Sequence, residues 1–240
     1  QWLAAIARNF VPGTDIVLGY TSMQSKEKAP HDFGYYIYDK LLFTLRYLSF
    51  ALIGRPYMGE SSNLAYRKEL FFKNKGFSKH LHLHYGDDDL FINEIATREN
   101  TRVELSPSSQ MTAVYHDNHG AWKELKLQYD FTAKYLHTAA KAVFGMGKVF
   151  DYAFNILFIL LLAWGILNNW LLAIIALLPA VSIFVIKAVV YRRAAKIFHT
   201  PRYTFALPLF SFLQPWVNLY FNIIGSALSL IHISEPTRPY

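Results

Sequence analysis

Residues 153–190 read AFNILFILLLAWGILNNWLLAIIALLPAVSIFVIKAVV, and Lys187 is the only charged residue of this stretch. A helix crosses a bilayer core with about 20 apolar residues. The pair Asn168-Asn169 is a turn signal between two apolar runs. We therefore predict a tight transmembrane hairpin with helices at about 150–167 and 170–190, in which Asp151 lies at headgroup level. The alternative is the buried helical core of a soluble protein, but such helices rarely lack charges over this length.

A third apolar segment runs over about 203–227 and contains Pro208 and Pro215. Membrane helices tolerate proline where neighbouring helices satisfy the freed backbone groups. The loop 191–202 between the second and third segments is rich in Arg and Lys, and positive loops stay on the cytoplasmic side. The pattern thus predicts about three transmembrane helices, with the loop and residues 1–148 in the cytoplasm and the hairpin turn outside.

The chain has 240 residues, a formal net charge of +7 and no cysteine. The lack of cysteine excludes disulfides and thiolate metal sites. Charged residues are frequent up to Lys148, which divides the chain into a cytoplasmic domain at 1–148 and a membrane region at 149–227. Part of the positive charge lies in the loop beside the membrane, and no basic-aromatic patch stands out, so nucleic acid is not an expected partner.

Both ends of the chain are unusual. The sequence does not begin with Met and opens on an apolar stretch at Gln1, so we expect an amino-terminally truncated fragment. Residues 228–240 resemble the translation of a transposase adapter used in sequencing libraries. We expect this tail to be an artefact, and a genuine polar tail is the alternative.

The cytoplasmic domain has the pattern of a mixed α/β fold. Residues 15–20 form a short apolar run after Pro12-Gly13, and residues 102–105 alternate before Ser106-Pro107, so both are predicted strands. Residues 33–53 are aromatic-rich but include charged side chains. This segment is predicted to be a helix that is buried or lies on the membrane surface, and not one that spans.

Three alternating histidines, His80, His82 and His84, would share one face if this segment were a strand. Such a row could bind zinc, although spacing by two residues on one strand requires a further ligand. We favour the alternative that the histidines are the polar face of a strand, without a metal.

Three aspartates, Asp87, Asp88 and Asp89, follow directly and precede a predicted helix that begins near Leu90. One aspartate is expected to cap this helix, but a cap does not account for three. Neighbouring carboxylates repel each other and raise the pKa of at least one of them. The cluster is therefore a candidate site.

A second cluster occupies residues 56–72, where a Gly/Ser-rich turn containing Gly59 is predicted to lead into a helix. Such a turn lets the backbone approach a ligand closely. An ordinary loop followed by a helix cap is the alternative.

Together these elements resemble bacterial membrane-bound members of glycosyltransferase family 2. The resemblance covers about residues 1–227 and rests on the order and spacing of six short stretches: Arg8-Asn9-Phe10, 16–20, Pro56-Tyr57-Met58-Gly59, 63–68, Lys75-Gly76-Phe77 and 86–91. It implies a GT-A (Rossmann-like) α/β domain, of which this chain would be the carboxy-terminal part, followed by the membrane helices.

The resemblance also implies a chemistry. Asp88 would be the general base of an inverting transfer from a nucleotide-sugar donor to a glycan or lipid-linked acceptor, with Asp87 and Asp89 supporting it. The implied substrate-binding residues are Gly59, Asn63, Arg67, Trp122 and Lys126. A divalent cation, Mg or Mn, would be held mainly by an Asp-x-Asp motif upstream of Gln1, with no metal ligands in this chain, so the fragment itself is expected to be inactive. The implied location is the bacterial inner membrane.

Two stretches depart from the family pattern. Leu125, Gln128 and Tyr129 stand where the family often has Gln, Arg and His, which leaves the acceptor contacts and processivity open. Glu60 follows Gly59, and a carboxylate beside a diphosphate would be unfavourable unless it faces away.

Two other functional classes compete with the enzyme. A metal transporter or sensor would use the His/Asp stretch as a cytoplasmic ligand loop, but an ion path usually needs polar groups within the membrane segments. Apart from Asp151 at headgroup level, the first and third segments contain no His, Asp or Glu. A non-catalytic scaffold of the same fold is favoured only by the altered stretch 125–129.

Overall fold

The computed structural model describes residues 1–26, 33–83, 85–115 and 118–234. Its helices and strands combine a small mixed α/β part with a long helical part. The helices are α1 (Trp2–Ala7), α2 (Phe33–Leu52), α3 (Lys68–Lys73), α4 (Asp89–Ile95), α5 (Asn118–Thr132), α6 (Thr138–Asn168), α7 (Trp170–Ile197) and α8 (Leu207–Ser234), with one 3-10 turn at Ser61–Asn63. The strands are β1 (Ile16–Leu18), β2 (Thr21–Ser25), β3 (Leu64–Tyr66), β4 (Thr101–Val103) and β5 (Met111–Tyr115).

The strands form two small sheets. In the first, the order is β3-β1-β4, with β1 antiparallel to β3 and parallel to β4. In the second, β2 and β5 pair in parallel. All three residues of β1 are buried, as expected for a central strand covered on both faces. The strands predicted at 15–20 and 102–105 are therefore confirmed as β1 and β4, although β1 is shorter and β4 begins one residue earlier and ends two residues earlier.

Helix α2 is the buried helix of the α/β part. Tyr38, Leu41, Tyr47 and Leu48 each have an exposed fraction of 1–2%, and the helix contacts both sheets as well as α5, α7 and α8. The prediction of a non-spanning helix over 33–53 is confirmed, and of its two alternatives the structure has the buried one. Helix α2 lies between the sheets and the long helices. Its Lys40 pairs with Glu60 in the α/β part, and its Asp39 contacts Lys126 of α5 and Gln214 of α8.

Helices α6 and α7 form the expected hairpin. The Asn169 side chain caps α7 by accepting a hydrogen bond from the Leu171 N–H at 3.0 Å. Gly165 lets the helices touch, because a Cβ at this position would lie 2.4 Å from the Ala173 backbone nitrogen. Two spans, Ala139–Asn168 and Trp170–Ile197, are long and apolar enough to cross a membrane, and 11% of the most apolar part of each is buried. A buried core helix of a soluble protein would be mostly covered.

Two features of this region differ from the sequence pattern. The first helix begins at Thr138 and not near 150, so that Lys148 and Asp151 lie within it. Of the three predicted spans, only the first two are found among the described residues. Helix α8 is continuous through Pro215, but Gln214, Asn218 and Asn222 recur every fourth residue and give it one polar face.

Candidate functional site

Asp88 connects two segments that form the centre of the candidate site. Its carboxylate accepts hydrogen bonds from the Ser61 N–H at 2.9 Å and from the Asp89 N–H at 2.7 Å, and it is the N-cap residue of α4. Gly86 makes the preceding turn, with φ +126°, and a Cβ there would lie 2.6 Å from the Leu90 side chain. The Gly59–Ser61 loop and the start of α4 are thus held together through this carboxylate.

Burial and hydrogen bonding shift the pKa of Asp88 in opposite directions. Its side chain is 4% exposed. Burial raises its pKa, the Ser61 and Asp89 N–H groups lower it, and the neighbouring Asp87 carboxylate raises it, with a net increase. A carboxylate with a raised pKa binds a proton more readily than an exposed aspartate.

Asp89 lies deeper than its neighbour, with an exposed fraction of 1%. Burial and the adjacent Asp88 carboxylate raise its pKa to about 7. Its carboxylate accepts a hydrogen bond from the Leu90 N–H at 2.8 Å. Near neutral pH, Asp89 therefore exchanges between its neutral and ionised forms, while Asp87 lies on the surface.

Asp39 on α2 organises a second polar group. Its carboxylate accepts hydrogen bonds from the Trp122 indole at 3.0 Å and the Gln214 amide at 3.3 Å. It also pairs with the Lys126 amine at 3.0 Å. The Trp122 ring stacks on Tyr36, with centroids 4.5 Å apart. Since these partners come from α5 and α8, the buried Asp39 joins three helices at one carboxylate.

A cavity of about 380 Å³ lies between these two polar groups. We call it the head cavity. Asp89 and Thr132 form part of its lining, and so do Asp39, Trp122 and Lys126. It extends to α6, α7 and α8, where Lys148, Asp151, Lys187 and Asn218 contribute to it. The structure thus brings Asp89, Trp122 and Lys126 to one cavity. Asp88, the residue before Asp89, does not line this cavity.

Glu60 does not carry an unpaired charge beside the loop. It is buried and forms an ion pair with Lys40 of α2, and it also accepts a hydrogen bond from the Ser62 hydroxyl at 2.8 Å. The carboxylate therefore faces the protein interior.

Three of the proposed substrate-binding residues make protein contacts away from the head cavity. Gly59 packs against Leu18 and Ile92. Asn63 is 3% exposed, donates to the Tyr20 and Ser109 carbonyls at 2.8 Å and accepts from the Trp2 indole at 3.0 Å.

Arg67 donates to the Phe10 and Thr14 carbonyls at 2.9 and 3.0 Å and pairs with Asp15 at 3.3 Å. Both polar side chains, Asn63 and Arg67, connect α1, the sheets and the loops. The residues from Ser61 to Lys68 also differ from the expected helix start, because β3 lies between the 3-10 turn and α3.

The histidine prediction was wrong in its secondary structure. Residues 74–82 form turns and not a strand, and His84 lies outside the described residues. Phe77 packs between Phe71 and Phe91, with centroids 5.0 and 5.4 Å away, which folds this segment back on itself. The His80 ring nitrogen lies 3.5 Å from the Glu94 carboxylate. Within the described ranges, no group of three or more His, Cys, Asp or Glu residues could hold a metal ion.

The sequence pattern did not assign Asp39 and Lys40 to the site, and it raised Glu60 only as an unfavourable charge after Gly59. The charged side chains of residues 33–53, which include Asp39 and Lys40, entered only as an argument against a spanning helix. Two adjacent charges in an otherwise aromatic helix were the available signal, because buried charges require partners.

Comparison of the chain with protein-family models, curated proteins and solved structures finds no match.

Proposed function

We propose that the chain is part of a membrane-bound glycosyltransferase that moves a sugar from a nucleotide donor to a glycan or lipid-linked acceptor with inversion. The observation that carries this proposal is the buried Asp88–Asp89 pair, held against the Gly59–Ser61 loop and next to a polar cavity. Two apolar helices long enough to span a membrane follow in the chain. The order of motifs that resembles glycosyltransferase family 2 supports the same assignment, including a GT-A domain.

In the proposed reaction, Asp88 removes the proton from an acceptor hydroxyl. The deprotonated acceptor oxygen then attacks the anomeric carbon with its lone pair, from the face opposite the leaving group. The bond from that carbon to the diphosphate oxygen breaks, and the nucleoside diphosphate leaves with its electron pair. A divalent cation, Mg or Mn, would stabilise the charge on the diphosphate, and the family resemblance implies that an Asp-x-Asp motif upstream of Gln1 would hold it.

The structure adds a competing base to this proposal. Asp89 lines the head cavity, whereas both oxygens of Asp88 accept backbone hydrogen bonds. Each carboxylate oxygen has two lone pairs. Because the Gln128 amide also donates to Asp88 Oδ1 at 3.4 Å, proton acceptance would fall to Oδ2, which accepts from the Ser61 N–H. We retain Asp88 as the base and assign Asp89 the supporting role of tuning it.

The proposed cellular location is the bacterial inner membrane, with residues 1–148 on the cytoplasmic side. The density of basic residues in the loop 191–202 supports this orientation.

The test uses the complete protein, including the upstream region, in detergent or nanodiscs. Release of nucleoside diphosphate from a panel of nucleotide sugars and sugar transfer to membrane lipids and glycans are measured separately. Asp88→Asn should lower transfer by roughly 10²–10⁴-fold while calorimetric binding of the active donor is retained. Normal transfer by this variant, beside an inactive and folded Asp89→Asn, would move the base to Asp89. An absence of turnover with every donor would overturn the proposal.

A further inference from the structure

A second cavity, of about 540 Å³, adjoins the head cavity between α6, α7 and α8. We call it the chain groove. Its lining is mainly apolar and includes Phe154 and Phe158 of α6, Val181 and Phe184 of α7, and Phe212 of α8. Asp151 and Lys187 line both cavities. A cavity with many charged residues in its lining and a mainly apolar cavity thus meet at one pair of charged residues.

Lys187 is an unusual residue for its surroundings. It is the only charged residue between Trp170 and Val190, and a cation within an apolar span is expensive unless it faces a partner or a polar cavity. Its side chain is half-buried. In the part of the chain that the structure describes, Lys187 forms no ion pair, and Asp151 forms none either. The amine is therefore available to an anion from outside the chain.

Arg46 also lines the head cavity, and the three other lysines of its lining have counter-ions. Lys126 pairs with Asp39 and Lys148 pairs with Asp130, each at 3.0 Å, and Lys40 pairs with Glu60. These charges already have counter-ions within the protein. Lys187 is the cation that the described linings of both cavities share. An anionic ligand at their junction would therefore be recognised chiefly by Lys187, and repelled to a smaller extent by Asp151.

The position of Lys187 along α7 suits a lipid headgroup. It lies five residues before Arg192 in the basic loop, about 8 Å along a helix axis. Ala180, at the other end of the chain groove, lies seven residues in the opposite direction, about 10 Å deeper. A ligand with its anion at Lys187 would extend an apolar chain away from the basic loop and into the groove.

From this arrangement we propose that the acceptor is a phosphate-bearing lipid, with its phosphate at Lys187 and its hydrocarbon chain in the chain groove. The role of this lipid as an acceptor rests on the proposed transferase function, but its binding to the protein does not depend on that function. A sugar attached to the phosphate would lie in the head cavity, on whose lining Asp89 is found. Asp151 would accept hydrogen bonds from the hydroxyls of that head group.

The test measures binding of a long-chain alkyl phosphate that carries a photoreactive diazirine at mid-chain, using the full chain in nanodiscs of neutral lipid. The alcohol with the same chain and inorganic phosphate are the comparators. We expect the alkyl phosphate to crosslink to α6, α7 and α8 and to bind at least about tenfold more tightly than the alcohol, as befits one charged hydrogen bond.

Four variants sharpen the result. Lys187→Met should weaken alkyl phosphate binding about tenfold or more, and Lys187→Arg should retain most of it. Lys196→Met is the matched control, because it removes an exposed lysine from the end of the same helix, and it should change binding by less than about twofold. Asp151→Asn should bind the probe equally well or more tightly, since it removes a negative charge from the junction.

Equal losses in Lys187→Met and Lys196→Met would overturn the inference, because they would indicate only a general attraction of anions to basic residues. Equal binding of the alcohol and the phosphate, or complete displacement by inorganic phosphate, would do the same. If the alkyl phosphate binds as expected and the complete protein transfers no sugar, the function fails and the lipid site stands. If transfer proceeds to a soluble glycan without lipid binding, the reverse holds.

Discussion

Asp88 and Asp89 are consecutive in the chain, yet only Asp89 lines the head cavity, while Asp88 joins the Ser61 backbone to the start of α4. The two carboxylates are therefore unequal although composition makes them look alike. Burial is the main cause of the raised pKa of both. This difference in environment leads to the first prediction.

Asp89→Asn should flatten the pH dependence of stability. The pKa of an unperturbed aspartate is 3.8 and that of Asp89 in the fold is about 7, so the folded state binds more protons between these values. Stability should therefore fall as pH rises through this window. Unfolding by denaturant in detergent should show a loss of more than about 1 kcal/mol between about pH 5 and pH 8 in the parent, and a smaller loss in the variant. Asp87→Asn, at an exposed position, is the control, and equal slopes in all three proteins would contradict the prediction.

Asp39→Asn should be strongly destabilising. The change keeps the side-chain size but removes the charge that pairs with Lys126, and it turns one acceptor oxygen into a donor facing other donors. Breaking a buried ion pair from one side costs about 3 kcal/mol or more. Denaturant unfolding should report this loss. Asp15→Asn, whose pair with Arg67 is partly exposed, should cost less than about 1 kcal/mol, and similar costs for both would argue against the role given to Asp39.

Gly165→Ala should separate α6 from α7. The added Cβ would lie 2.4 Å from the Ala173 nitrogen, so the two backbones must move apart, with a cost of about 1–3 kcal/mol. Gly147→Ala on the same helix meets nothing within 4 Å and should be neutral or stabilising by up to about 1 kcal/mol through helix propensity. Thermal unfolding of the two variants side by side measures the difference, and an equally stable Gly165→Ala would show that the helices need not touch there.

The topology can be tested directly because the chain has no cysteine. Single cysteines at Asn169 and Arg193 should differ in intact cells, with an impermeant thiol reagent labelling only the first. The expectation follows from the basic residues of the loop 191–202. Labelling at position 193 alone would reverse the orientation, and disruption of the cells should expose both sites.

Local patterns in the sequence were sufficient for several elements of the fold. The apolar run that became β1, the helix at Asp89–Ile95 and the α6–α7 hairpin each depend on neighbouring residues. The strand predicted around His80 was wrong, because the alternation of histidine with leucine is also compatible with a series of turns. What holds it there is the packing of Phe77 on Phe71 and Phe91, and the local pattern does not contain that contact.

The centre of the site was less accessible to sequence reasoning. Asp39 meets Trp122 across 83 residues and Gln214 across 175 residues, and no spacing rule connects such distant positions. Trp122 and Lys126 came from a family resemblance, and the structure adds Asp39 as their common partner. The side chains of Asn63 and Arg67 instead donate hydrogen bonds to backbone carbonyls of neighbouring segments, so in the structure they stabilise the fold of the α/β part.

The polar face of α8 sets an order for biosynthesis. Gln214, Asn218 and Asn222 hydrogen-bond to Asp39, Lys126 and Lys148, which belong to α2, α5 and α6. A ribosome makes those three helices first, so α8 emerges when its partners already exist. Its amides would be costly in lipid without them, and a nascent chain released before residue 207 would lack these amide partners for Lys126 and Lys148. Docking of α8 therefore follows the formation of its three partner helices and brings these amides to Asp39, Lys126 and Lys148.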